Sequence, residues 1–170
     1  MANTYELISS NTVGSGGASS VTFSSIPSTY TDLKMVYSAR SDRAGQTAEL
    51  LAISFNGTTT NYARLVLEGN GSSVGSYKDP IRSFGIVTAS SATSNTFSNG
   101  EIYIPNYLSS NYKSYSGDGS AENNATSANI DLDANIWNNT AAITSIAITT
   151  YNSNNFVQYS SFYLYGIKNS

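Results

Sequence analysis

Side chains able to do covalent or metal chemistry are scarce in this sequence, and its carboxylates are the first to weigh. The 170 residues include no His and no Cys. The usual nucleophile–base pairs and the commonest transition-metal ligands are therefore missing. Eleven Asp and Glu remain. A glycosidase needs two of them about 5–9.5 Å apart. Glu68, closing one apolar run, and Glu101, opening another, are the couple to test for that geometry, and no motif accompanies them. The expectation is a protein that is not an enzyme, with no catalytic residue and no cofactor. Asp118-Gly-Ser-Ala-Glu122 and Asp131-Leu-Asp133 carry oxygens of the kind Ca²⁺ takes, but neither has the spacing of a calcium loop. They read as a hydrated turn and as a strand with outward Asp residues, so no metal site is expected.

Two surface chemistries are left. Arg40-Ser-Asp-Arg43 is the densest charge cluster. Arg40, Asp42 and Arg43 suit an ion-paired contact to a neighbouring subunit or shell, where Arg is enriched. The plainer alternative is a solvated loop with a weak pair. Aromatics are plentiful, with 13 Tyr and 6 Phe. Exposed tyrosines at Tyr107, Tyr112 and Tyr115 would offer sugars a stacking platform, with Tyr62, Tyr77, Tyr103 and Trp137 as further candidates. The competing reading puts aromatics in the core or in cross-strand pairs, and this is favoured for Trp137 beside Ile136.

The elements that must position these residues read as strands. Charged residues are 11% of the chain against a norm of about 25%. Polarity comes from Ser, Thr, Asn and Gly, which bias the backbone toward turns and extended structure. Apolar residues alternate with period two at Val21–Phe23, Leu33–Ala39, Leu51–Phe55, Tyr62–Leu67, Ile102–Ile104 and Phe162–Ile167, and Ile143, Ile146 and Ile148 lie in a β-branched run. Turn signals separate them: Ser-Gly-Gly at 15–17, Asn56-Gly57, Asn70-Gly71, Asn99-Gly100, Gly117-Asp118-Gly119 and 152–155. Residues 11–20 and 88–98 read as loops. The stretch Asp131–Trp137 is either one helical turn or a loop carrying Trp137 inward. Pro27 ends a strand, and the run from Asp32 enters the opposite sheet, with Asp32 or Thr31 bonding the corner's amides. The whole, 1–170, is expected to be a single all-β domain, an antiparallel β-sandwich or barrel.

Eight scattered basic residues and a net charge of −3 exclude a phosphate-tracking surface, so no nucleic-acid partner is expected. No apolar run reaches the roughly 18–20 residues of a membrane span, and the opening MANTYELISS has no signal-peptide character. No membrane partner is expected, and synthesis in a host cytoplasm without a signal peptide is.

The opening YELI, the run VTFSSIPSTYTDLKMVYSAR, and the later ISFNGTTTNYARL, GEIYIPNY and FYLYGI together resemble small structural proteins of tailed bacteriophages, aquatic-phage type. The resemblance covers nearly the whole chain. It implies a jelly-roll-like β-sandwich in the virion: a capsid decoration (cement) protein, a head fibre or a tail-fibre module, with no catalytic residues to carry over. The partners it implies are the major capsid protein and further copies of the chain as a homotrimer, on the head surface. Host glycan is the partner if the chain is instead a receptor-recognition module of a fibre.

Overall fold

The computed structural model describes residues 4–124 and 128–168. Twelve strands follow one another: β1 (Tyr5–Thr12), β2 (Ser20–Phe23), β3 (Asp32–Ala39), β4 (Ala48–Phe55), β5 (Tyr62–Gly69), β6 (Val74–Asp79), β7 (Ser83–Thr88), β8 (Ser98–Ile104), β9 (Lys113–Glu122), β10 (Ala128–Trp137), β11 (Ile146–Thr150) and β12 (Ser161–Ile167). They form two antiparallel sheets, an eight-stranded one in the order β1-β12-β3-β8-β9-β10-β5-β6 and a four-stranded one in the order β2-β11-β4-β7. The chain is an all-β sandwich, as its alternation predicts.

The core lies between the sheets. Leu33, Met35, Tyr37 and Ala39 of β3, Ile102 and Ile104 of β8, and Phe162 and Leu164 of β12 face Val21, Ile53, Phe55, Ile146 and Ile148 of the small sheet, all of them buried. Ring contacts tie the layers: Phe55 meets Tyr115 edge-on at 5.3 Å and Trp137 at 5.4 Å, and Phe156 meets Phe162 at 4.9 Å. Such pairs contribute about 0.5–1.5 kcal/mol each beyond the area they bury.

The corner at Pro27 does what the sequence implies, since β2 belongs to the small sheet and β3 to the large one. Asp32, however, does not bond its own corner. Its carboxylate accepts the Asn106 N–H at 2.8 Å and the Tyr103 hydroxyl at 2.6 Å, so it braces the turn after β8 instead.

Two turn assignments fail for one reason. Asn56-Gly57 is a tight turn with both residues at positive φ, 52° and 72°. Asn99-Gly100 and Gly117-Asp118-Gly119 instead lie inside β8 and β9. There the absent side chains admit a neighbour: a Cβ at Gly100 or Gly119 would overlap the Tyr37 hydroxyl. That hydroxyl donates toward the Ile86 and Asp118 carbonyls, both 3.2 Å away. These glycines serve close approach of β7 to β9, which is the other use of glycine in a strand.

Candidate functional site

Strands β5 and β10 lie side by side and are amphipathic the wrong way round. Along β10, Asp131, Asp133, Asn135 and Trp137 turn inward and are buried, whereas Ile130, Leu132, Ala134 and Ile136 turn outward. Along β5, Tyr62, Arg64 and Val66 are buried while Ala63, Leu65 and Leu67 are exposed. The register places Leu67 opposite Leu132, Leu65 opposite Ala134 and Ala63 opposite Ile136. Side chains of directly paired residues project to one face, so these form a continuous apolar stripe on the outside of the large sheet. Leu67 is 56% exposed, Leu65 51%, Ile130 50% and Leu132 49%. Val74 of β6, 91% exposed, extends it. The borders are polar: Ser114, Ser116, Asp118 and Ser120 pair from β9, and Ser76 and Lys78 from β6. Single exposed apolar residues are ordinary, but a contiguous patch marks a contact surface.

The inward side of the same strands holds a charge cluster. Arg64 has its guanidinium almost fully buried, 3.3 Å from Asp133 and 3.4 Å from Asp79. The Asp133 contact is an ion pair without hydrogen-bond alignment, since neither Arg64 Nη1 nor Asp133 Oδ1 has a hydrogen-bond partner. The other Asp133 oxygen accepts the Gly85 N–H at 2.7 Å, tying β10 to β7. Arg64 also donates to the Tyr77 hydroxyl at 3.0 Å, which donates to Glu68 at 3.3 Å. Burial pushes the Asp131 carboxyl up to about 7, helped by the charge of Asp133 and opposed by Arg64. Burial likewise pushes Asp133 up to about 6, against the Gly85 hydrogen bond and Arg64.

A stability profile follows. Both carboxyls keep their protons in the folded chain over a range where the unfolded chain has lost them. The folded state then binds more protons, so stability falls as pH rises from about 4 to about 7. Each unit of raised pKa corresponds to about 1.4 kcal/mol. Asp131→Asn is therefore expected to stabilise the protein by roughly 2–4 kcal/mol at pH 8 and to change little at pH 4, read from urea midpoints at the two pH values. Equal effects at both would contradict the buried, proton-retaining state of Asp131.

Several sequence assignments are corrected here. Asp131 and Asp133 are inward rather than outward, and Asp131–Trp137 is neither a helical turn nor a loop but the end of strand β10. Arg40 is 8% exposed and is no surface contact. Its guanidinium donates to the carbonyls of Ser90, Ala92, Thr93 and Thr96 at 2.7–3.3 Å, clamping the loop before β8. Asp42 is exposed but accepts two hydrogen bonds from Asn155, and Arg43 is half-buried at the mouth of a cleft. The described ion pairs are Lys34–Glu101, Arg64–Asp79, Arg64–Asp133 and Lys168–Glu6, so Arg40, Asp42 and Arg43 form no paired cluster. The tyrosine platform dissolves as well. Tyr107 and Tyr115 are buried at 0% and 3%, the first donating to the Pro27 carbonyl, and Tyr112 alone is exposed. Trp137 is buried, as expected.

Glu68 and Glu101 sit on β5 and β8, three strand spacings apart, or roughly 14 Å. They also face opposite ways, with Glu101 outward on Lys34 at 2.7 Å. They cannot share a scissile bond. Among the described residues no group of three or more His, Cys, Asp or Glu is arranged to hold a metal ion.

Sequence reasoning missed the stripe. Its signal was present in Ala63, Leu65 and Leu67 alternating with Tyr62, Arg64 and Val66, but both sets contain apolar residues and alternation alone does not say which faces out. No family model matches the chain, and no curated protein or solved structure matches it either.

Proposed function

We propose that the chain is a non-enzymatic structural protein of a virus particle, a decoration or cement protein on the outer surface of a tailed-phage head that assembles as a homotrimer. The observation that carries this reading is the outward apolar stripe of β5 and β10. An apolar face of Leu, Ile and Ala suits burial about a three-fold axis, where the stripes of three copies converge. The Ser borders suit a hydrogen-bonded rim around an apolar centre, the usual anatomy of a protein interface.

Strand order supports a jelly-roll-like reading. A jelly roll of two Greek keys sets its first, last, third and sixth strands in one sheet, and its second, seventh, fourth and fifth in the other. Taking β2–β8 and β11 as those eight strands, β2-β11-β4-β7 follows the first order. The second order is β3-β8 followed by β5-β6, with the β9–β10 hairpin inserted between. That hairpin supplies half of the apolar stripe, so the departure from a plain jelly roll coincides with the candidate contact. The resemblance to tailed-phage structural proteins points the same way.

Cementing would work by touching several shell subunits at once, since multivalent attachment multiplies modest contacts. The test is to compare heads with and without this protein under heating. Heads that lack it are expected to rupture at a lower temperature, and equal resistance would overturn the cement role. The glycan-binding fibre module loses two of the three tyrosines of its platform, Tyr107 and Tyr115, to the core, and keeps Tyr112 exposed.

A further inference from the structure

Arg40, the residue after β3, holds two loops with different groups. Its guanidinium donates to the Ser90, Ala92, Thr93 and Thr96 carbonyls and so fixes the loop before β8. Its backbone fixes the loop between β11 and β12. The Val157 N–H donates to the Arg40 carbonyl at 2.9 Å, and the Ser160 hydroxyl bonds both the Arg40 N–H and its carbonyl, at 3.1 and 3.2 Å. A cleft of about 480 Å³ opens between these loops, with Ser94, Asn95 and Phe97 from one and Gln158 and Tyr159 from the other. Small-molecule sites are of this size, about 300–1,000 Å³.

Tyr159 stands in the cleft at a cost to its backbone. It is the third residue of a turn that the Ser160 N–H closes onto the Val157 carbonyl at 3.1 Å, and its φ is 74°. Turns with a positive φ there favour Gly or Asn, because a bulky residue is strained. Burial does not offset the strain, since Tyr159 is 69% exposed. Its surroundings enforce it instead. The Tyr159 N–H donates to the Val13 carbonyl at 2.9 Å, and both ends of the turn are tied to Arg40. Across the cleft Asn95 also has a positive φ, 62°. Strained residues over-determined in this way gather at ligand clamps.

We infer that this cleft binds a neutral pyranose ring of a glycan, stacked on Tyr159. Arg40 is the one charged residue of the lining, and its terminal nitrogens are taken up by carbonyls. No free charge is left there to pair with an anion or a cation. Two aromatic rings, two carboxamides and a hydroxyl remain, which match the C–H face and the hydroxyls of an uncharged sugar. The cleft shares no residue with the β5–β10 stripe, so the inference is independent of the assembly reading.

A glycan array probed with the intact chain, followed by calorimetric titration of the neutral glycan bound best, tests this. A proline-rich peptide is titrated in parallel, because aromatic-lined grooves also take such chains. Saturable binding of at least one neutral glycan is expected, and none of the peptide. Tyr159→Gly should weaken glycan binding at least about tenfold, the scale of one lost ring contact. Its urea midpoint should not fall below the parent's, because glycine relieves the strained φ. Tyr159→Asn, which also tolerates that φ, should behave alike. Tyr112→Ala removes an exposed tyrosine outside the cleft and should bind as the parent does. Binding of charged glycans only, of the peptide in place of glycan, or of neither would overturn the inference. So would unchanged binding in Tyr159→Gly, lost binding in Tyr112→Ala, or a lowered midpoint in both Tyr159 variants, which would make the ring a structural one.

Discussion

Replacing both Leu67 and Leu132 with lysine is expected to convert assembled protein into folded monomers. The two residues oppose each other on the outer face, each with about half of its surface still in water. Full burial of a leucine is worth about 1.5–3 kcal/mol, so the remaining half contributes roughly 1 kcal/mol per residue per contact. The larger effect is the substituent itself. Two ammonium groups at the centre of a flat apolar contact must be desolvated and repel each other, which costs more than the lost burial. Within a single copy both positions face solvent, where substitutions usually change stability by within about 0.5 kcal/mol. Sedimentation is therefore expected to show the mass of three copies for the parent and of one for the variant, with matching circular dichroism. An unchanged mass would remove the stripe as the assembly contact.

Arg64→Leu is expected to be the most damaging single change to the fold. The arginine is the counter-charge for Asp133 and Asp79 inside the sandwich, and its removal strands the Asp133 carboxylate. Breaking a buried pair from one side typically costs about 3–5 kcal/mol. That loss is expected at pH 8 and should shrink near pH 5, because the Asp133 carboxyl, held near 6 by burial, then takes up a proton. Adding Asp133→Asn to Arg64→Leu should recover much of the loss at pH 8, since the stranded charge is gone. Urea midpoints of the two variants measure both effects. A loss below about 1 kcal/mol at pH 8 would mean that water, rather than Arg64, compensates Asp133.

Much of the fold was legible because ordinary alternation governs its centre. β3, β8 and β12 put Leu33, Met35, Ile102, Ile104, Phe162 and Leu164 inward and polar or half-buried residues outward, and their period can be read directly. β9 and β10 were not legible. Gly117-Asp118-Gly119 has the composition of a turn, and only the approach of β7 explains glycines in that strand. In β10 the residues that look like a solvent face, Asp131 and Asp133, are the buried ones, which a composition rule assigns backwards.

Site residues followed the same divide. Trp137 is where its size and apolar neighbours place it. Tyr107 and Tyr115 were candidates for an exposed platform, but the Pro27 carbonyl and the Phe55 ring, both distant in sequence, hold them in the core. Arg40 carries the charge of an interface residue, yet its donors are consumed by the carbonyls of a loop some fifty residues on. Long-range partners decide such cases, and local sequence does not name them.

The reading as a head-surface structural protein is most directly tested by electron cryomicroscopy of the intact particle. The expected result is density for this sandwich on the outside of the head, grouped in threes, with the Leu65, Leu67 and Leu132 face turned into the contacts. Density confined to the tail, or copies that stand apart with that face in solvent, would contradict it.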